Sequence, residues 1–365
     1  MVYVFVTYNF SLNFDSPESW FKRTEAYVGV LSCLAKQNTV INIKQINYEG
    51  DCVHKGIQYR FVNFGEKETR FPRRLNQYVK DQQPDVVFVQ GLHVPLQIIQ
   101  LRRVLGKKVK IIVQNHAEQP LTGFKKYLQR MADRRIDAYL FASQAMGMDW
   151  VKKGNLANPA KIHEVMEVSS VFEPIEESLA IQKTGVKGSP VFLWVGRLND
   201  NKDPLNVIKA FLKYAANKPG AHLYMIYHTD ELLTEVQDLL DNAENKDAVV
   251  LIGKVSHDEL LYWYNSVDII LAGSYYEGSG TAVCEAMSCG CMPIVTDIFS
   301  FRMITDNGRC GLLYQPGDEE GLLTALLQTR QMDLKEKQDA SLEYFRSNLS
   351  FEAIAGKIQD VVASL

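Results

Sequence analysis

Short apolar runs alternate with longer amphipathic stretches along this chain. A run such as residues 267–271 has the length and branched side chains of a strand covered on both faces, whereas the longer stretches repeat apolar positions with helical spacing. The alternation occurs in two series, and each predicts a parallel sheet with helical crossovers, including helices at 72–82, 122–134 and 143–153. Strands are predicted near residues 2–7, 38–45, 57–63, 85–90, 109–114, 138–142 and 162–168, and then near 190–196, 221–227, 248–252, 267–272 and 292–296.

A polar, Glu-rich passage at residues 173–189 separates the two series and is predicted to be a linker. The length of 365 residues suits two domains, since a domain has roughly 100 to 200 residues. We therefore expect an N-terminal Rossmann-like domain at 1–172, a C-terminal Rossmann-like domain at 173–345, and a last helix at 346–365 that packs back on the first domain. No apolar run in the sequence approaches the ~20 residues of a membrane span. The short apolar opening MVYVFVTYNF is therefore predicted to be a core strand instead of a membrane or signal segment.

Charge is distributed unevenly between the two series. Residues 1–172 hold 24 of the 40 Lys and Arg residues and 15 of the 43 Asp and Glu residues, a net charge of +9, which leaves −12 for the rest. Such asymmetry predicts that the first half meets an anionic partner. The six cysteines, of which only Cys289 and Cys291 are close together, predict reduced thiols and no metal site.

The stretch VDIILAGSYYEGSGTAVCEAM places a Gly-rich turn between a buried strand and a helix that begins near Thr281. Gly278 and Gly280 permit a sharp turn, and the helix N-terminus offers unpaired N–H groups and a partial positive charge to a phosphate. Glu277 lies at the carboxyl end of the strand, where open α/β sheets bind ligands. Glu285 lies one turn inside the helix, where it can accept hydrogen bonds from sugar hydroxyls. A Gly-rich turn alone is more often a plain strand–turn–helix with solvated acids.

A second element upstream favours a ligand site over a plain strand–turn–helix. VFLWVGRLNDNKDPLN predicts another buried strand that ends at Gly196 and a helix that opens near Pro204. Arg197 and Lys202 lie in the loop between them. Because parallel strands end at the same edge of a sheet, both cations are expected near Glu277.

These patterns together resemble one enzyme family. Gly-Arg-Leu-x-x-x-Lys, then Glu-x7-Glu, then GRCGLLYQPGD are similar in sequence and order to glycosyltransferase family 4, which comprises retaining enzymes of the GT-B fold. The resemblance covers the second half of the chain. In the first half, KIIVQNHAEQPL resembles the segment with the active-site histidine of the family, here His116. The resemblance implies an α/β GT-B fold, in which two Rossmann-like domains face each other across a cleft.

The resemblance also implies a function. It is the transfer of a hexose, with retention of anomeric configuration, from a nucleoside-diphosphate sugar to a glycan, lipid-linked or small-molecule acceptor. No metal or cofactor is expected, because Asp-x-Asp is absent and two cations flank the diphosphate. Glu285 would bind the ribose and Glu277 would lie beside the hexose. The catalytic group implied is His116, Glu277, Arg197 and Lys202, and the donor-binding group is Gly196, Arg197, Lys202, Glu277, Gly278, Ser279, Gly280, Thr281 and Glu285.

Several positions depart from the family. YNFSLNFDSPESWFKRTEA lacks the usual Gly-Gly after the first strand, His228, Thr229 and Asp230 occupy a common Gly-x-Gly, and Ser279 replaces a common aromatic residue. His93 is interpreted as structural. A non-catalytic GT-B protein that binds sugar nucleotides is the alternative function. An NAD-dependent dehydrogenase is disfavoured, because no Gly-x-Gly-x-x-Gly follows a strand.

The helix predicted at GFKKYLQRMADRR combines apolar and basic residues. We interpret its apolar side as a core face. Its cations, in contrast, predict peripheral contact with an anionic membrane surface. We therefore expect a cytoplasmic protein of polysaccharide biosynthesis that visits the inner face of the membrane. The apolar residues are Phe124, Tyr127, Leu128 and Met131, and the cations are Lys125, Lys126, Arg130, Arg134 and Arg135.

Overall fold

A computed structural model describes residues 1–24 and 28–365, which form two compact units, 1–167 with 351–365 and 168–350. Each unit contains one sheet. The strands of the first are β1 (Val2–Ser11), β2 (Thr39–Ile46), β3 (Gly50–His54), β4 (Ile57–Val62), β5 (Val86–Gln90), β6 (Lys110–Gln114), β7 (Ala138–Phe141) and β8 (Ile162–Glu164). Those of the second are β9 (Val191–Gly196), β10 (His222–Tyr227), β11 (Val249–Gly253), β12 (Ile269–Ala272), β13 (Met292–Thr296) and β14 (Leu312–Tyr314).

Helices connect the strands of both sheets. They are α1 (Pro17–Thr24), α2 (Gly29–Ala35), α3 (Arg73–Asp81), α4 (Pro95–Leu105), α5 (Gly123–Asp133), α6 (Gln144–Lys152), α7 (Glu177–Thr184), α8 (Pro204–Ala216), α9 (Leu233–Asp241), α10 (His257–Tyr264), α11 (Thr281–Ser288), α12 (Phe299–Ile304), α13 (Glu319–Gln328), α14 (Leu334–Tyr344) and α15 (Phe351–Ala363). Among the described residues we find no helix with the length and apolar character needed to span a bilayer.

Both sheets are built from parallel neighbours, as the alternating pattern predicted. The first has the order β3-β4-β2-β1-β5-β6-β7-β8, in which only β3 runs antiparallel, and the second has the order β11-β10-β9-β12-β13-β14. In β1 the run Tyr3, Val4, Phe5 and Val6 is buried throughout, because helices cover both faces of a parallel sheet. The carboxyl ends of β9 and β12, which are direct neighbours, therefore lie side by side.

Two strands were not predicted, and a helix lies where a linker was expected. β3 is a half-exposed edge strand, and a two-residue turn at Lys55 and Gly56, both with positive φ, joins it to β4. β14 has only three residues, too few for a periodic signal. The expectation that residues 173–189 form a linker is wrong, because α7 occupies part of this passage and buries Ala180 within the second unit. Part of the segment without Gly-Gly, residues 25–26, lies outside the described residues.

The apolar side of α5 also differs from its prediction. Phe124 is 74% exposed and Tyr127 is 60% exposed, whereas α5 buries Gln129, Ala132 and Asp133. The buried face is set by Asp133, whose carboxylate accepts hydrogen bonds from the Tyr139 hydroxyl at 3.0 Å and from a loop N–H group at 3.0 Å. The interpretation of Phe124 and Tyr127 as core residues is therefore wrong.

The first unit is completed by α15, which follows the second unit in sequence. This helix packs on α2, where the Phe351 ring lies so close to Gly29 that a methyl group there would overlap it. Near this contact, the Cys33 thiol donates to the Glu352 carboxylate at 3.4 Å. The first unit is thus built from two stretches of the chain, one that precedes the second unit in sequence and one that follows it.

Candidate functional site

The loops that follow β9 and β12 are fastened to each other by Asn201. Its side-chain amide donates to the Tyr276 carbonyl at 3.0 Å and accepts from the Tyr276 N–H at 3.1 Å, while its own carbonyl accepts from the Tyr275 N–H at 2.9 Å. Sequence analysis missed Asn201, although Asn-x-Asn spacing in a strand-end loop is typical of side chains that bond backbone. The staple places the cationic loop against the acidic one.

Within these loops Lys202 and Glu277 form an ion pair, so the structure brings together two residues that the sequence predicted. The Lys202 ammonium donates to Oε1 of Glu277, and the Ser274 hydroxyl donates to the same oxygen at 2.6 Å. Arg197 is exposed, and within the described part of the chain its side chain has no hydrogen bond or ion pair. The site thus has one cation already paired and one free to meet a ligand.

The turn before α11 requires glycine at one position. Gly280 has φ 60° and ψ 50°, in the left-handed region, and a Cβ there would lie 2.7 Å from the Phe301 ring. This conformation starts α11 at Thr281, next to a buried Ser279 and a half-buried Gly278. Residues of the two loops then line a small cavity together: Lys202, Ser274, Glu277, Gly280 and Thr281.

Glu285 is held by two side chains of α10. His257 Nε2 lies 2.9 Å from Oε1, and the Tyr264 hydroxyl donates to Oε2 at 3.0 Å. Glu285 itself is 7% exposed. The hydrogen bond with Glu285 raises the pKa of His257 above its ordinary value, although burial lowers it. Burial, followed by the charge of Glu285, raises the pKa of Tyr264 well above its ordinary value.

Sequence analysis named Glu285 but missed His257 and Tyr264. Their spacing of seven residues puts them on one face of a helix, two turns apart, which was a usable signal. Phe172 also contacts this group, with its ring centroid 4.8 Å from that of His257.

In the first unit, His116 follows β6 and is engaged on both ring nitrogens. Nδ1 pairs with the Glu167 carboxylate, and Nε2 lies 2.7 Å from Oε1 of Gln90. Sequence analysis found His116 but neither Glu167 nor Gln90. The latter ends β5, the neighbour of β6, so adjacent strand ends position the ring.

His93 joins the same network through Glu118. Oε1 of Glu118 lies 3.0 Å from His93 Nδ1 and accepts from the Leu92 N–H at 3.1 Å, while Oε2 accepts from the His116 N–H at 2.7 Å and from the Asn115 amide at 2.9 Å. Burial alone would raise the pKa of Glu118. The hydrogen bonds from His93 and His116 outweigh burial and lower it.

The described residues contain no group of three or more His, Cys, Asp or Glu side chains arranged to hold a metal ion. Residues 177–342 match the family model of glycosyl transferases group 1.

Curated relatives agree with that match. The chain is 27% identical over 149 residues, 40% of its length, to a D-inositol 3-phosphate glycosyltransferase of Pseudarthrobacter chlorophenolicus. It is 23% identical over 246 residues, 63% of its length, to the lipopolysaccharide core biosynthesis mannosyltransferase LpsB of Rhizobium meliloti. The matched segments span 35% and 64% of these two relatives.

Solved structures resemble the whole chain. Anabaena HepE in complex with UDP superposes with a TM-score of 0.74 at 13% identity, over 100% of both chains. A glycosyltransferase from Rickettsia africae superposes with a TM-score of 0.73 at 16% identity, over 100% of this chain and 97% of that one. Residues 177–342 are therefore similar to the group 1 glycosyltransferases, and the chain that contains them has the GT-B fold.

Proposed function

We propose that this protein is a retaining glycosyltransferase that moves a hexose from a nucleoside-diphosphate sugar to a glycan, lipid-linked or small-molecule acceptor without a metal ion. One observation carries the proposal: the Lys202–Glu277 pair lies beside the N-terminus of α11, and Glu285 lies one turn further along that helix. A cation, a helix N-terminus and two acids in this order suit the phosphates, hexose and ribose of one ligand.

The charges that develop in the reaction explain the choice of residues. Cleavage of the bond between the anomeric carbon and the diphosphate leaves negative charge on the phosphate and positive character on the sugar ring. Lys202, Arg197 and the N–H groups at the start of α11 stabilise the phosphate, the role that a metal has in enzymes with Asp-x-Asp. Glu277, whose Oε2 has no partner among the described residues, is left to accept from hexose hydroxyls.

Retention requires that the acceptor attack from the face that the diphosphate leaves. The acceptor oxygen bonds to the anomeric carbon as the glycosidic bond to phosphate breaks, and the acceptor proton passes to the departing phosphate oxygen. His116, held by Glu167 and Gln90, steadies the sugar during this step.

The exposed aromatic residues of α5 bear on the acceptor. Phe124 and Tyr127 stack at 6.3 Å between ring centroids on a helix with Lys125 and Arg130 exposed. Aromatic rings beside cations suit the interface of an anionic bilayer. Relatives named for lipopolysaccharide core and O-antigen synthesis point to the same setting. These observations support our proposal that the protein acts in polysaccharide biosynthesis, in the cytoplasm, with peripheral membrane contact and a lipid-linked acceptor.

Thermal-shift measurements with UDP-, GDP- and ADP-sugars test the donor. A ligand at 100 times its dissociation constant adds about 2.7 kcal/mol to the free energy of unfolding, so the right nucleotide raises Tm clearly. Turnover with a candidate acceptor, followed by NMR of the product anomer, then tests transfer and retention, and EDTA is expected to leave the rate unchanged. Binding without turnover would instead favour a non-catalytic sugar-nucleotide-binding protein. No stabilisation by any of these sugars would contradict the proposal.

A further inference from the structure

The family resemblance implies that Glu285 binds the nucleoside ribose; we infer that His257 and Tyr264 are positioning residues that fix its carboxylate for that contact, and that the charge of His257 balances the acid. The inference rests on the proposed function, because it concerns the nucleotide of the same site.

The free lone pairs of Glu285 are the first step. An ionised carboxylate offers about four acceptor positions, two on each oxygen. His257 occupies one position on Oε1 and Tyr264 occupies one on Oε2, and within the described residues no other donor reaches either oxygen. One position on each oxygen is therefore left. Two adjacent acceptors of this kind match two adjacent hydroxyl groups, and a 2′-deoxyribose fills only one of them.

The two donors are themselves rigid. α10 begins with a capping box, in which Ser256 accepts from the Glu259 N–H and Glu259 accepts from the Ser256 N–H. This fixes the backbone at His257, and Phe172 lies against one side of the imidazole ring. The Tyr264 hydroxyl is fully buried. The carboxylate is thus held in one orientation before any ligand arrives.

Charge supplies the second step. His257 faces Glu285 on α11 and the neighbouring Asp258 on its own helix, while the thiols Cys289 and Cys291 lie near Tyr264. When protonated, His257 neutralises Glu285. When His257 loses its proton, an uncompensated carboxylate remains in the site that is to receive an anionic diphosphate. Glu285 raises the pKa of His257, so this loss occurs as the pH rises above about 6.5, the ordinary value for histidine.

Calorimetry with UDP-, GDP- and ADP-glucose between pH 6 and 9 tests the inference, since the diphosphate of these probes carries a constant charge in that range. We expect the affinity of the best probe to fall roughly three- to tenfold as the pH rises. His257→Gln can still donate a hydrogen bond but carries no charge, so its affinity is expected to be nearly independent of pH. His222→Gln is the matched control, because His222 lies at the amino end of β10, away from the carboxyl ends of the strands. This variant is expected to show the same decrease of affinity with pH as the unmodified protein.

Two further measurements concern the diol. The 2′-deoxy form of the best probe is expected to bind at least about tenfold more weakly than the parent probe. Tyr264→Phe is expected to weaken binding of the parent probe and to reduce the difference in affinity between the parent and 2′-deoxy probes. A flat pH profile in the unmodified protein, an unchanged slope in His257→Gln or equal binding of the deoxy probe would overturn the inference while leaving the proposed function in place. Failure of all three probes to bind at every pH would overturn both.

Discussion

Glu118 in the first unit and Glu285 in the second are both largely buried acids that hold a histidine, yet their carboxylates are occupied differently. Glu118 accepts four hydrogen bonds, two from side chains and two from backbone N–H groups, which fills its acceptor positions. Glu285 accepts two and keeps two free. We interpret Glu118 as an acid that organises loops and propose that Glu285 is an acid prepared for a ligand. The number of donors distinguishes them, whereas their burial does not.

Replacement of both acids by alanine is the most direct way to break this comparison. Glu118→Ala leaves two backbone N–H groups, the Asn115 amide and the exposed His93 ring without an acceptor. Each shielded group that loses its acceptor costs about 1–3 kcal/mol, so we expect the free energy of unfolding to fall by about 3 kcal/mol. Glu285→Ala removes the acceptor of the half-exposed His257 ring and of the buried Tyr264 hydroxyl; because only the hydroxyl is shielded from water, we expect a cost of about 1–2 kcal/mol together with the loss of nucleotide binding. Urea denaturation measures both. Equal losses would show that the count of donors does not distinguish the two acids.

The next test separates the roles of the two units. If His116 acts on the sugar during transfer, His116→Gln is expected to lower kcat by about 100-fold, the typical effect of losing one positioned donor. Its affinity for the nucleotide is expected to stay within about twofold, because the proposed donor-binding residues belong to the second unit. His163→Gln, on β8 of the first unit, is the control. Loss of nucleotide affinity in His116→Gln would instead assign the histidine to ground-state binding.

The cations of the second unit give a smaller expected effect. Each charge-assisted contact to phosphate is worth roughly 1.5 to 3 kcal/mol, so the double change Arg197→Ala/Lys202→Ala is expected to weaken nucleotide-sugar binding at least tenfold without unfolding the protein. Lys213→Ala removes a cation of the same unit that pairs with Glu319 and Glu320 and is the matched control. Unchanged affinity for every nucleotide by calorimetry would rule out both cations as phosphate ligands.

The smallest expected effect concerns the surfaces of the units. Phe124→Ser/Tyr127→Ser is expected to reduce sedimentation with anionic vesicles severalfold at low salt, because the double change removes two exposed aromatic rings from the basic helix α5. Leu179→Ser/Ile181→Ser removes two exposed apolar residues from α7 of the second unit and serves as control. A protein that stays in the supernatant, or a control that loses as much, would favour a soluble acceptor.

The sequence predicted the second unit better than the first, and the reason is physical. Strand ends, glycines and charges of the second unit lie in short loops, so their order along the chain already fixes which of them meet, as with Lys202 and Glu277. In the first unit, the donors to Glu118 include backbone N–H groups, which every residue has and which no pattern marks.

The apolar stripe of α5 shows a different limit. Periodicity identifies a face of a helix but not what covers it, and here Gln129 and Asp133 are buried while Phe124 is exposed. Asp133 can lie on the buried face because the Tyr139 hydroxyl donates a hydrogen bond to it there. For Asp133 the departure from the prediction follows from specific hydrogen bonds, which sequence spacing does not report, whereas the buried Gln129 amide makes no such bond among the described residues.

The packing of α15 on α2 has a consequence for folding during translation. The segment 168–350 leaves the ribosome between the two parts of the first unit, and at about 5–20 residues per second its synthesis takes roughly 10–40 s. During that interval Gly29 and the α2 surface around it have no Phe351 to cover them. We therefore expect the nascent chain to leave this apolar surface uncovered until the segment that begins at residue 351 has left the ribosome.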